Sequence, residues 1–86
     1  MDYDTEKIDE ITLALLYLVT VRNKDECRAW KGFDWDTMDR LFEKGYISNP
    51  KGKAKSVALS SAGAALSADL FKKYFVKNPA PRAQGV

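Results

Sequence analysis

Apolar residues recur at helical spacing near the start of the chain and predict a first helix. The helix begins near Asp4 or Thr5 and ends around residues 22–24. Thr5 is a favourable N-cap, and acidic residues follow near the positive end of the helix dipole. The main apolar stripe consists of five residues, Ile8, Ile11, Leu15, Leu18 and Val19.

This first helix has a second apolar side. Leu13, Leu16 and Tyr17 fall on other faces, and a helix that is apolar nearly all round is buried on more than one side. In so small a domain we expect a second copy of the protein to cover this side, which makes Leu13, Leu16 and Tyr17 a candidate dimer interface. The alternative is that the C-terminal helix covers them within the same chain.

A second helix follows, with clear signals at both ends. Asp34 is an N-cap and Gly45 is a left-handed C-cap. The apolar residues of this helix fall on one side and are Trp35, Met38, Leu41 and Phe42. Before it, we expect a polar turn and then one helical turn around Arg28 to Lys31, closed by Gly32.

A hairpin is predicted directly after Gly45. Two short runs of strand character, 46–48 and 56–59, flank a loop of residues 49–55 that contains proline and glycine. Ile47, Val57 and Leu59 are expected to face the core.

The last helix is capped by Ser60 or Ser61 and runs to about Phe75. Gly63, in its first turn, permits close packing against the hairpin or the preceding helix. Residues 77–86 contain two prolines and predict a flexible tail, so residues 1–76 form the single domain. Together these elements predict a mainly α-helical α+β fold with three to four helices and one two-stranded hairpin.

Charge is distributed unevenly along the chain, although the net charge is only +2. The first ten residues carry five acids against one lysine, whereas residues 46–86 carry seven basic side chains against one aspartate. Such asymmetry indicates either a basic face for nucleic acid or complementary contacts between copies. The alternative is that the lysines only keep a small domain soluble.

The residue types argue against an enzyme. The chain has no histidine, and its single cysteine, Cys27, has no histidine to activate it. Asp34, Asp36 and Asp39 are more typical of a capped, solvated helix than of a metal site. We therefore expect no catalytic residue, no metal, no cofactor and no small-molecule substrate.

Three features of the sequence predict a cytoplasmic protein. The longest apolar run, residues 13–19, is well short of the roughly 20 residues that a membrane span needs. The N-terminus lacks the basic start of a secretory signal. The lone cysteine cannot form an internal disulfide.

The lysines of the hairpin loop are the strongest candidate binding residues. Lys51, Lys53 and Lys55 place three ammonium groups in a small area, which attracts phosphates through counterion release. Lys72 and Lys73 in the last helix are further candidates for contact with a nucleic-acid backbone. The alternative is that the loop lysines prevent edge-to-edge pairing of strands.

Two tryptophans, Trp30 and Trp35, lie close together in the sequence. Stacking on exposed bases is one interpretation. Anchoring in the core or at an interface is favoured, because Trp35 is in register with Met38 and Phe42.

The order of these elements resembles the second half of bacterial winged-helix regulators. The resemblance is carried by a capped helix ending in residues 43–47 (EKGYI), a basic loop, and residues 57–63 (VALSSAG) that open a helix. In that superfamily the helix before the hairpin is the recognition helix and the hairpin is the wing. The resemblance covers about half of the chain. It implies a winged-helix-like fold with residues 35–44 in the recognition position and 49–55 as the wing.

The predicted recognition helix has an unusual charge. A helix that enters the major groove usually presents basic or amide side chains to bases and phosphates. Here the N-cap and the positions expected to be exposed carry two bases, Arg40 and Lys44, against four acids, Asp34, Asp36, Asp39 and Glu43. This balance disfavours base readout through the helix and leaves the wing as the contact.

The whole chain also resembles a narrower group, a bacterial family of small uncharacterised proteins. The segments that carry this resemblance are 29–40 (AWKGFDWDTMDR) and 43–59 (EKGYISNPKGKAKSVAL). Two functions therefore remain open for a winged-helix-like, non-enzymatic protein. One is a nucleic-acid-binding, transcription regulator-like module that contacts phosphate through its wing. The other is a homodimeric protein–protein interaction module that binds no DNA.

Overall fold

A computed structural model describes residues 1–77 of the protein. The described chain is α+β, with three α-helices and one antiparallel three-stranded sheet. The elements in chain order are α1 (Thr5–Leu16), β1 (Thr20–Arg22), β2 (Cys27–Trp30), α2 (Trp35–Glu43), β3 (Ser56–Leu59) and α3 (Ser61–Phe75). None of these helices has the length and apolar character that a bilayer crossing requires.

The α+β class is confirmed, but the sheet has one strand more than predicted. The winged-helix resemblance is not confirmed by this architecture. The predicted tail lies, apart from Lys77, outside the described residues.

Helix α1 begins as expected and ends earlier than expected. Asp4 caps it by accepting a hydrogen bond from the backbone N–H of Lys7 at 3.0 Å, so Thr5 is the first helical residue instead of the cap. The helix ends at Leu16 and continues into one 3₁₀ turn, Tyr17–Val19. Thr20 then donates its hydroxyl to the Leu16 carbonyl at 2.6 Å, which satisfies an acceptor at the helix end.

Strands β1 and β2 form a hairpin where the sequence predicted the end of one helix and a single helical turn at residues 28–31. Both of those predictions were wrong. The β-branched residues Val19, Thr20 and Val21 disfavour helix and favour strand. Asn23 makes the turn, since its side-chain oxygen accepts the backbone N–H groups of Asp25 and Glu26 at 3.1 and 3.0 Å.

Helix α2 has both predicted caps. Asp34 accepts the backbone N–H of Thr37 at 3.1 Å. Gly45 has φ +84°, the left-handed conformation that glycine adopts without strain. The face that packs against the core differs from the predicted one, because Thr37, Met38 and Leu41 are buried while Trp35 and Phe42 are exposed.

Strand β3 has its predicted bounds but a different main partner. It pairs along its length with β2, giving the sheet order β1-β2-β3. The predicted partner strand is reduced to one bridge, between Ile47 and Leu59, extended by the Ser48 N–H to the Ala58 carbonyl at 2.8 Å. Ile47, Val57 and Leu59 are buried, as predicted.

Helix α3 begins and ends as predicted and covers the second apolar side of α1. Ser60 caps it by accepting the backbone N–H of Gly63 at 3.0 Å. Leu13 and Leu16 are buried beneath it, and the Ser67 hydroxyl donates to the Leu13 carbonyl at 2.7 Å. The core therefore lies between the three helices and one face of the sheet.

Gly63 allows the first turn of α3 to lie directly on the backbone of the preceding segment. A Cβ at this position would overlap the carbonyl group of Tyr46. The predicted close packing at Gly63 is therefore confirmed, and its neighbour is backbone that has little room to move.

We expect Gly63→Ala to destabilise the protein by about 1–3 kcal/mol, because overpacking outweighs the better helix propensity of alanine. Gly52→Ala is the matched control, since nothing lies within 4 Å of the position of its Cβ. Denaturant unfolding measures both variants. A Gly63→Ala protein as stable as the control would contradict the close packing.

Candidate functional site

The loop of residues 49–55, hereafter the wing, carries three solvent-exposed lysines, Lys51, Lys53 and Lys55. Within residues 1–77, no carboxylate lies at ion-pairing distance from any of the three. The wing therefore presents three lysines without a direct ion pair in a small area, which raises the local concentration of anionic ligands.

A fourth lysine holds the wing in place. Lys31 follows directly after β2, and its Nζ donates to the carbonyls of Pro50 and Gly52 at 2.8 and 2.6 Å. Its backbone N–H donates to the Lys55 carbonyl at 3.2 Å. Because both ends of the loop are tied to the end of β2, the wing has a defined position relative to the sheet.

An aromatic cleft of about 330 Å³ opens beside the wing. Its apolar lining includes Trp30, Phe33, Trp35, Met38 and Pro50. Trp30 and Trp35 are 53% and 78% exposed, so the interpretation of either as a core residue was wrong. The cleft volume lies at the lower end of the range of pockets that hold small ligands, roughly 300–1,000 Å³.

Charged side chains complete the cleft. Lys31, Lys51 and Lys55 line it on the wing side, and Asp39 lines it from α2. The cleft therefore combines flat apolar surfaces with positive charge and one carboxylate acceptor. This combination suits a ligand that has both an aromatic ring and an anionic group.

The two other candidate phosphate contacts lie elsewhere. Lys72 and Lys73 are exposed in the last turn of α3, where the ammonium of Lys73 lies 5.1 Å from the ring centre of Tyr74. Neither lines the aromatic cleft. The structure therefore groups the wing lysines with the tryptophans, and not with the lysines of α3.

The candidate dimer residues have two different environments. Leu13 and Leu16 are buried within the chain, as in the alternative in which the C-terminal helix covers them, and they are therefore not exposed for contact with a second copy. Tyr17 remains partly exposed and stacks on Phe71 at 4.7 Å between ring centres.

A buried ion network, which the sequence did not predict, joins α1 to α2. Asp9 is buried and accepts from Arg40 at 2.8–3.0 Å and from the Lys44 Nζ at 2.8 Å. Lys44 also contacts Glu6 at 3.0 Å, and Arg40 donates to the Thr37 hydroxyl at 3.1 Å. The spacing offers one signal for it, because Asp9 stands one turn before the buried Leu13.

The network changes the ionisation of its members. Burial raises the pKa of the Asp9 carboxyl, but the hydrogen bonds and charges of Arg40 and Lys44 outweigh this effect and hold its pKa below the ordinary value. The hydrogen bonds from Asp9 raise the pKa of Arg40 and of Lys44. All three groups are therefore charged at neutral pH.

This network also sets the charge that α2 shows to solvent. Arg40 and Lys44, the two bases of the helix, are engaged with Asp9, whereas Asp36 and Glu43 are exposed. The surface of α2 is thus more acidic than the sequence alone indicates, and it repels phosphate.

Side chains with ligating or nucleophilic chemistry add little to the site. Cys27 is half-buried in β2, and Nη1 of Arg22 lies 3.7 Å from its sulfur in hydrogen-bonding geometry. In the part of the chain that the structure describes, no three His, Cys, Asp or Glu side chains are placed to hold a metal ion.

The fold and site define a small α+β protein with a basic wing beside an aromatic cleft. Over residues 4–77 the chain matches the family described as Domain of unknown function (DUF6429), and it belongs to that family. It is 48% identical over 77 residues to "Uncharacterized protein y4hR" of Sinorhizobium fredii, and the match covers 90% of this chain and 100% of that protein. The predicted resemblance to a bacterial family of small uncharacterised proteins is confirmed. No solved structure matches the chain.

We expect Asp9→Asn to destabilise the fold by about 2 kcal/mol at neutral pH, because it removes the charged acceptor of Arg40 and Lys44. Since the pKa of Asp9 is lowered on folding, its contribution is complete above the ordinary value of 3.8. It is lost as the pH falls below that value through the folded-state pKa. The difference between wild type and variant should therefore shrink in acid.

Urea unfolding across this pH range measures the effect. Glu6→Gln is the control, because the Glu6 side chain is 79% exposed and a surface ion pair contributes about 1 kcal/mol or less. Equal stabilities of the two variants at neutral pH would contradict the assigned role of Asp9.

Proposed function

We propose that the protein is a non-enzymatic nucleic-acid-binding module that contacts phosphates through its wing. The observation that carries the proposal is the wing itself. Lys51, Lys53 and Lys55 are exposed on a loop that Lys31 anchors, and no carboxylate among the described residues forms an ion pair with them. Clustered lysines bind phosphates by releasing counterions from nucleic acid, whatever its sequence.

The charge of α2 supports wing contact over groove reading. In a helix-turn-helix protein the recognition helix enters the major groove and the helix before it crosses the backbone. Here four residues, 31–34, separate β2 from α2, and the exposed acids of α2 oppose entry into a groove. We interpret the fold as a winged-helix derivative in which a strand, β2, precedes α2 in the chain instead of a helix.

The proposal predicts salt-dependent binding to a mixed-sequence DNA duplex that weakens when wing lysines are removed. Each phosphate contact contributes about 0.9 to the slope of log K against log salt. We expect Lys51→Ala/Lys53→Ala to lower this slope by about 1–2. Fluorescence anisotropy of a labelled duplex, titrated at several salt concentrations, measures it.

The charge-matched control is Lys72→Ala/Lys73→Ala, which removes two exposed lysines that do not line the cleft beside the wing. We expect the control to retain most of the affinity and the slope. Absence of binding at low salt, or equal losses in the two double variants, would contradict a specific role for the wing.

A second candidate function, self-association, is favoured by a different observation. Leu18 and Val21 are 65% and 68% exposed. Tyr17, next to Leu18 in the sequence, and Phe75 are also partly exposed, and both rings contact the ring of Phe71. Val21 lies in β1, an edge strand whose outer side is unpaired in the described sheet. An exposed edge strand with apolar side chains is a template for pairing with another chain.

If two copies pair through this edge, sedimentation equilibrium should give twice the monomer mass of 9.7 kDa, and Leu18→Asp/Val21→Asp should give the monomer. Phe42→Asp, an exposed apolar position on α2, is the control and should leave the dimer intact. A wild-type monomer at micromolar concentration would exclude this candidate.

A further inference from the structure

The aromatic cleft beside the wing is the surface feature that phosphate contact alone leaves unexplained. We propose that it holds an unpaired base of a single-stranded nucleic acid, stacked on Trp35 and Trp30, while the flanking phosphates lie on Lys51 and Lys55. This inference rests on the proposed function, since it names the ligand class for the same site.

Both tryptophans of the cleft are largely exposed to solvent. Trp35 is 78% exposed in the first turn of α2, and Trp30 is 53% exposed at the end of β2, so neither ring is held by the core. Large exposed aromatic rings cost solvation free energy unless a ligand covers them. Rings that line one cleft offer a flat ligand two surfaces.

The ring of Trp30 packs on the backbone at Gly32. A Cβ on Gly32 would overlap the indole of Trp30, so the ring lies directly against the backbone at that residue. The glycine thus leaves room for the ring in its place at the cleft. A ring that is already positioned loses less entropy when a ligand binds.

Charge complementarity selects the occupant. Lys51 and Lys55 line the same cleft as the rings, so a ligand that covers the rings brings its own charge within reach of two ammonium groups. A nucleotide has a flat aromatic part joined to a phosphate, which matches both features at once. A base inside a duplex has both faces covered by its neighbours, so only an unpaired base fits.

Asp39 adds a preference among bases. Its carboxylate lines the cleft from α2 and accepts hydrogen bonds. Cytosine presents an exocyclic amino donor to such an acceptor, whereas thymine presents a carbonyl oxygen at the same position. We therefore expect oligo(dC) to bind more tightly than oligo(dT).

The test uses 12-nucleotide probes and the full chain. The chain has only two tryptophans, and both line the cleft, so intrinsic tryptophan emission reports on the cleft alone. We expect oligo(dC) to change this emission and to bind at least about five-fold more tightly than a duplex of equal length or an abasic strand. Oligo(rC) in parallel shows whether the natural source of the unpaired base is RNA or DNA.

Two substitutions separate stacking from charge. Trp35→Ala should lower the affinity for oligo(dC) by about five-fold or more and leave duplex affinity unchanged. Lys51→Ala/Lys53→Ala should weaken both. Asp39→Asn should reduce the preference for oligo(dC) over oligo(dT). The exposed position of Trp35 makes loss of folding in its variant unexpected, and circular dichroism verifies this.

The measurements distinguish failure of base stacking in the cleft from failure of phosphate binding by the wing. Three results together would show that the base-stacking inference is wrong while the phosphate-binding function stands. They are equal binding of duplex and single strand, constant tryptophan emission, and no effect of Trp35→Ala. If no oligonucleotide binds at low salt, both are wrong, and the cleft takes another class of ligand such as a peptide.

Discussion

The contact between Asp9 and the pair Arg40 and Lys44 fixes how α2 lies against α1, and the position of the candidate site depends on it. Asp9 is buried, and both cations reach it from α2 at hydrogen-bonding distance. A buried carboxylate that lost these partners would be costly, so the two helices stay in register. Thr37 and Leu41 are then buried, while Trp35 and Asp39 line the cleft.

The same contact separates the bases beside α1 from those of the wing. Arg40 and Lys44 bind the buried Asp9, whereas the lysines of the wing are exposed to solvent. Lys31 has a third role, because its ammonium group donates hydrogen bonds to the carbonyls of the wing and so holds the loop beside the aromatic cleft. The acidic surface of α2, next to an anchored basic loop, is the physical reason for placing the proposed nucleic-acid contact on the wing. The adjacent cleft extends that contact from phosphate to base.

Local signals in the sequence predicted the parts of the fold that local interactions determine. The caps Asp34, Gly45 and Ser60 act within one turn of their helices, so their residue types suffice to locate α2 and α3. Strand β2 depends instead on pairing with β3, which lies about thirty residues further along the chain, and β1 joins the sheet by pairing with β2. The apolar character of residues 13–19 continued a helical pattern, and only the β-branched residues and Asn23 indicated the change to strand.

The candidate site was predicted in part for the same reason. Exposure of the wing lysines follows from their place in a proline- and glycine-containing loop. Exposure of Trp35 depends on which face of α2 meets the core, and that face packs on residues distant in the sequence, Asp9 of α1 among them. Helical spacing groups Trp35 with Met38 and Phe42, but it does not reveal that Arg40 and Lys44 turn the helix toward α1. The ion network and the cleft are therefore properties of tertiary packing.

We propose that the wing and the aromatic cleft form one ligand-binding surface. The most direct test is amide chemical-shift mapping of the ¹⁵N-labelled protein as a short single-stranded oligonucleotide is added. We expect the largest shifts to fall in residues 30–39 and 49–55 together. Shifts confined to α3 or to the β1 edge, or no shifts at low salt, would contradict it.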